Sequence, residues 1–206
     1  DAFPLFKSLI KAAAEAGYDT FEDSNGFKQD GFGTFDVTID NGKRQGVSRA
    51  YLNEIKGYKN LTIEHNTDVS KIIFKEKKAI GVEIKRNNHS EIYYCNKEVI
   101  LSSGSINSPK ILQLSGIGDE KLLNKNGIDI IHHLPGVGKN LQDHLEIYIQ
   151  HKSKTKDTLY NLSTNYFTQA VEGLKWFLLK KGMLTYSHLE VGGFVKTSEK
   201  YKHPNI

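Results

Sequence analysis

"EVILSSGSINSPKILQLSGIGDEKLL", residues 98–123, decides how the rest of the chain is read. Val99 to Leu101 is continuously apolar, as expected of a β-strand covered on both faces. The run breaks at Ser102-Ser103-Gly104-Ser105, a helical pattern restarts at Ser108-Pro109, and Gly116-Ile117-Gly118 ends it. Ser108 is a good N-cap, and Pro109 suits the first helical position, where its missing N–H costs nothing. Free backbone N–H groups at such a helix start attract partial negative charge. Gly104 lets a ligand or a neighbouring chain approach where a side chain would block it. Local physics reads this as the strand–turn–helix connection of an α/β protein, with or without a ligand at its tip.

Working outward, residues 61–65, 68–74, 79–85, 91–95 and 97–101 read as short β-branched strands, broken at Lys75–Lys78 and Asn87–Asn88. Downstream, helices are expected over 109–115 and 119–126. After the loop "HLPGVGKNLQDH", the segment "EIYIQHKS" (146–153) alternates like a strand. "NYFTQAVEGLKWFLLKKG" gives an amphipathic helix closed by Lys180, Lys181 and Gly182. Trp176, Tyr166 and Phe167 on it read as core or lid packing. At the other end, residues 4–17 form a helix with Leu5, Leu9, Ala12, Ala13 and Ala16 on one face. Residues 18–46 have no sustained period and read as a long surface loop. A short helix then starts at Ser48 as N-cap and ends at Gly57.

Composition excludes several classes. The chain has 206 residues, 38% hydrophobic and 25% charged, which fits an ordinary soluble protein rather than a disordered one. Its net charge of +4 comes from lysines scattered among acids, so no basic run points to nucleic acid. Cys95 is the only cysteine, which precludes an intrachain disulfide, and it reads as a buried small hydrophobe. No apolar run is long enough to cross a bilayer. The start at Asp1 and the stop at Ile206 without a closing element read as a piece of a longer chain.

"GSINSPKILQLSGIG", residues 104–118, resembles the second signature of the glucose-methanol-choline (GMC) flavoprotein oxidoreductases. "NLTIEHNTDVSKIIF", "AIGVE" and "LPGVGKNLQDH" fall at the spacing that family shows around it, so the resemblance covers nearly the whole chain. Within the family it is most similar to the choline-oxidising bacterial members, on "DGFGTFDVT", "LPGVGKNLQDHLEIYIQ" and "HLEVGGFVKTSE". The resemblance implies an α/β fold, part of a Rossmann-like FAD-binding domain interleaved with a sheet-based substrate domain. Residues 46–145 would lie in the former, 1–45 and 146–206 in the latter. It implies FAD as cofactor and oxidation of a primary alcohol, choline to betaine aldehyde, with an electron acceptor the sequence does not name. The implied location is cytoplasmic, or peripheral on the inner membrane. Two rivals remain: a GMC enzyme with another alcohol substrate, and a catalytically silent segment.

The departures carry weight too. Gly31–Gly33, Gly116–Gly118 and Gly136–Gly138 are the only Gly-x-Gly pairs, and none has the third glycine of the dinucleotide turn. The family's catalytic histidine lies beyond Ile206, so no catalytic residue is expected in this segment. By resemblance, Val69 sits where a strand backbone faces the adenine of FAD, and Ser103 and Gly104 lie near the dinucleotide. Without the resemblance, a core valine and a cofactor contact are equally open for Val69. Glu146 matches the position where choline-oxidising relatives hold the trimethylammonium head with a carboxylate; otherwise it is a solvent-facing glutamate. A cation that cannot donate hydrogen bonds is best held by a carboxylate and aromatic faces. His144 reads as a hydrogen-bonded structural histidine. His132 and His133 are adjacent on a strand, point to opposite faces and cannot share a metal. His188 and Glu190 alternate on a strand and would face the substrate cavity.

Overall fold

The computed structural model describes residues 4–87, 89–154, 158–185, 187 and 189–206. It mixes helices and strands, as expected, in two compact units: Asp1–Leu61 with Ile149–Ile206, and Thr62–Tyr148. The units divide at 61/62 and 148/149, against the expected segment boundaries of 45/46 and 145/146. Among the described residues no helix is long and apolar enough to cross a membrane.

The unit Thr62–Tyr148 is built on an antiparallel meander of β5 (Asp68–Lys75), β6 (Lys78–Arg86) and β7 (His89–Tyr94). Glu76 takes a positive φ in the tight turn between β5 and β6, where the sequence had placed a break. Helix α3 (Gly104–Leu114) packs on β5, burying Ile111, while Ile72 and Ile84 are buried in the strands. Ser115, just past α3, joins the two elements. Its buried hydroxyl accepts the Ile72 N–H at 2.8 Å and donates to the Ile111 carbonyl at 2.5 Å. A side chain from outside the sheet thus satisfies a buried backbone donor of β5, a group that is costly to bury unpaired.

Gly116 and Gly118 then explain why the motif ends as it does. Gly116 has φ +84°, and a Cβ there would sit 2.3 Å from the Asp129 carbonyl oxygen. That close approach lets β8 (Ile117–Gly118) pair in parallel with β9 (His132–His133). Between them α4 (Glu120–Lys125) is capped by Asp119, whose carboxylate accepts the Leu122 N–H at 3.1 Å. That bond, helped by Lys139, holds the Asp119 carboxyl below the usual range. Leu123 is fully buried, and its burial contributes about 2 kcal/mol.

In the other unit, α1 (Pro4–Glu15) packs against a small sheet ordered β1 (Thr20–Phe21), β2 (Gly31–Thr34), β10 (Val191–Phe194). Ala13 on α1 is buried, whereas Leu5 and Leu9 stay exposed. Rings of Phe21, Phe35 and Phe194 cluster at 5.8–6.4 Å. The sheet's glycines make room for them: a Cβ at Gly192 would lie 2.5 Å from the Phe35 ring. The hairpin of β3 (Ile39–Asp40) and β4 (Lys43–Arg44) meets α6 (Tyr166–Leu179) through Trp176, whose indole N–H donates to the Gly42 carbonyl at 2.6 Å. Asn165 caps α6 by accepting from Phe167 and Thr168 N–H, and Lys180 closes it in the left-handed region. Glu172 is buried on the inner face. It accepts the Met183 N–H at 2.8 Å and pairs with Lys175 at 2.5 Å.

Several sequence expectations are corrected. Residues 18–46 are not a bare loop but carry β1 to β4, because pairing with β10 some 160 residues later has no local signature. Residues 61–65, 97–101 and 146–153 form no strand: each has the right pattern but no pairing partner among the described residues. Ile100, expected to be covered on both faces, is 78% exposed. α3 begins at Gly104 rather than 109, with Pro109 inside it. Ser108 therefore is not the N-cap; its hydroxyl instead accepts the Ser103 N–H at 3.0 Å. Nor does Ser48 cap its helix. Val47 occupies that position, before a π-helical turn (Ser48–Leu52) that runs into α2 (Asn53–Ile55). Tyr166 and Phe167 are exposed rather than packed, because the inner face of α6 is given to Glu172 and Trp176. Cys95 is half-buried, not buried. A short α5 (Leu159–Thr164) precedes α6 and was not foreseen.

Candidate functional site

The residues singled out for cofactor and substrate all lie in the unit Thr62–Tyr148. Val69 is on β5, opposite Ile84 of β6, at the first of two register irregularities in that strand pair. It is 39% exposed rather than buried in the core. Ser103 is the N-cap of α3, and Gly104 opens the helix with φ +82°. A Cβ built on Gly104 would meet nothing within 4 Å. The backbone here is therefore approachable from this chain's side, as a dinucleotide contact requires, and a side chain is disfavoured by the dihedral alone.

Directly beside this helix start lies a cavity of about 480 Å³. Ser105, Pro109 and Gln113 of α3 line one side, and Gly138, Asn140 and Gln142 of the following loop line the other. Gln113 was not picked out from sequence. Its amide donates to the Val137 carbonyl at 3.2 Å, and a Cβ on Gly138 would lie 2.8 Å from the Gln113 nitrogen. The signature helix therefore grips the "LPGVGKNLQDH" loop at its glycine. Nothing in the local pattern marks Gln113, since its partner is a backbone carbonyl 24 residues away.

Glu146 follows that loop on a segment without regular structure, and it is exposed. Its Oε2 accepts a hydrogen bond from the Tyr148 hydroxyl. That bond keeps the Tyr148 phenol above its ordinary range. Val69, Ser103, Gly104 and Glu146 do not line the cavity beside α3. His144 is exposed, and it is its backbone N–H that is bonded, to the Asp143 carboxylate at 2.8 Å. His133 accepts the Glu120 N–H at 3.2 Å through Nδ1. Among the described residues no three His, Cys, Asp or Glu side chains cluster as metal ligands would.

In the other unit, a cavity of about 570 Å³ is lined by Phe35, Val37, Ile39, Lys180, Thr185 and Glu190 among others. Glu190 lines this cavity from the bend before β10 rather than from a strand. It is buried, and its Oε1 accepts the Ser187 N–H at 2.8 Å. His188, expected beside it, lies outside the described residues.

The GMC oxidoreductase family model matches residues 1–146. The oxygen-dependent choline dehydrogenase of Staphylococcus epidermidis is 45% identical over 206 residues, covering 98% of this chain and 36% of the relative. The mitochondrial choline dehydrogenase of Homo sapiens is 45% identical over 203 residues, covering 98% of this chain and 34% of the relative. The chain thus spans about a third of the length of the curated relatives it matches. Among solved structures, an FAD-dependent oxidoreductase from Chaetomium thermophilum superposes with a TM-score of 0.76 at 33% identity, covering 89% of this chain and 32% of the other.

Proposed function

We propose a function from one premise: the chain belongs to the glucose-methanol-choline (GMC) oxidoreductase family. The enzyme that contains it oxidises a primary alcohol, and the alcohol is choline. FAD, when bound, supplies the hydride acceptor. Val69, Ser103 and Gly104 are the residues of this chain that hold it, and the approachable backbone at Gly104 supports that reading. Residues 46–145 belong to the FAD-binding domain, 1–45 and 146–206 to the substrate-binding domain. The exposed apolar run around Ile100 is covered in the family-length protein.

The observation that carries choline, rather than a neutral alcohol, is Glu146. It is an exposed carboxylate directly after the loop that the signature helix grips. A quaternary ammonium offers no N–H, so charge and apolar contact are the means of recognising it. Glu146 holds the head group while the hydroxyl end is presented for oxidation. The rest of the family-length protein supplies the base that takes the hydroxyl proton.

The test is Glu146→Gln in the full-length enzyme, with choline compared to its neutral isostere 3,3-dimethylbutan-1-ol. Exposure screens the charge pair, so we expect the preference for choline to fall on the order of tenfold rather than a thousandfold. An unchanged ratio of the two kcat/KM values would remove Glu146 from substrate recognition.

A further inference from the structure

The Tyr148–Glu146 hydrogen bond is not explained by folding. Neither residue is buried, the segment has no strand partner, and the bond spans only two residues. What it does is fix the carboxylate. A free glutamate on an exposed segment samples many rotamers, and ordering it on binding opposes recognition. We propose that Tyr148 is a positioning residue for substrate recognition: its hydroxyl holds Oε2 of Glu146 so that Oε1 is presented to the cationic head of the substrate. This rests on the reading of Glu146 given above.

Three features on the molecule support it. Oε1 has no other partner among the described hydrogen bonds, so the tyrosine takes one carboxylate oxygen and leaves the other. The phenol, held above its ordinary range by that contact, remains a proton donor at neutral pH. The ring also stays next to the carboxylate, and an aromatic face beside an anion suits methylated ammonium groups, which cannot donate hydrogen bonds.

The experiment is a double-mutant cycle in the full-length flavin-loaded enzyme: wild type, Tyr148→Phe, Glu146→Gln and the pair. The readout is the ratio of kcat/KM for choline to that for 3,3-dimethylbutan-1-ol. Flavin content and circular dichroism identify any variant that fails to fold. Phenylalanine keeps the ring and removes only the hydroxyl, so a folding loss would lower both substrates together. We expect Tyr148→Phe to lower the ratio about fivefold, through the KM for choline. In the Glu146→Gln background the same change should have no further effect on the ratio. If Glu146→Gln lowers the ratio but Tyr148→Phe does not, or lowers it independently of Glu146, the positioning role is overturned and the reading of Glu146 stands. If Glu146→Gln leaves the ratio unchanged, both are overturned.

Discussion

Replacing Gly116 by alanine tests whether the Gly-Ile-Gly punctuation is a steric device. Two costs are expected. The first is conformational: φ of +84° is unfavourable for any residue with a Cβ, by about 1–2 kcal/mol, partly offset because alanine also restricts the unfolded chain. The second is collision. The new Cβ would sit 2.3 Å from the Asp129 carbonyl oxygen and 2.9 Å from Ile131 Cγ1. Backbone must move to relieve the first of these, and overpacking of this kind costs about 1–3 kcal/mol. Gly127 supplies an internal control, with φ +65° and nothing within 4 Å of its would-be Cβ. Gly127→Ala should therefore lose about 1 kcal/mol and Gly116→Ala about 3 kcal/mol. The difference of about 2 kcal/mol is a roughly thirty-fold change in the opening equilibrium. Hydrogen exchange read by mass spectrometry on peptides from β5, α3 and β9 isolates this unit from the other. Equal losses for the two variants would refute the reasoning, because both sites have a positive φ and only at Gly116 does the methyl meet backbone.

Two further outcomes follow from single contacts. Ser115→Ala leaves the Ile72 N–H buried without its partner, which should cost about 2 kcal/mol and speed exchange at the Ile72 amide; unchanged protection there would mean the hydroxyl is dispensable. Glu172 predicts a pH dependence. The Lys175 hydrogen bond and the Met183 N–H hold its carboxyl below the usual range against the opposing effect of burial. A lowered folded-state pKa contributes stability above the ordinary glutamate value of about 4.3, and that stability is lost as pH falls through the folded value. Followed by Trp176 fluorescence, wild type and Glu172→Gln should differ in stability at neutral pH and converge in acid, whereas a constant gap would exclude the carboxylate's ionisation as the cause.

Features that adjacent residues enforce are legible in the sequence. The break at Lys75–Lys78 marks the turn between two strands because the chain must reverse there. The helix ending at Lys180 is legible from its apolar period and closing residues. The signature at 104–118 identified the family because its glycines and serines stand at fixed spacing. What only the tertiary structure decided depends on partners remote in sequence. Gly31–Thr34 becomes a strand because Val191–Phe194 pairs with it, and "EVILS" does not because no described strand lies alongside. Pro109 looked like a helix start, yet α3 begins five residues earlier, where Gly104 can take a positive φ. Gln113 and Ser115 were invisible as functional parts because their partners are backbone groups 24 and 43 residues away. Tyr148 differs, since its partner is two residues distant. The alternation in "EIYIQ" puts residues 146 and 148 on one side, but that a hydroxyl meets a carboxylate there depends on the side-chain rotamers. Local pattern constrains backbone conformation over a few residues, whereas pairing and side-chain capture depend on where the chain returns in space.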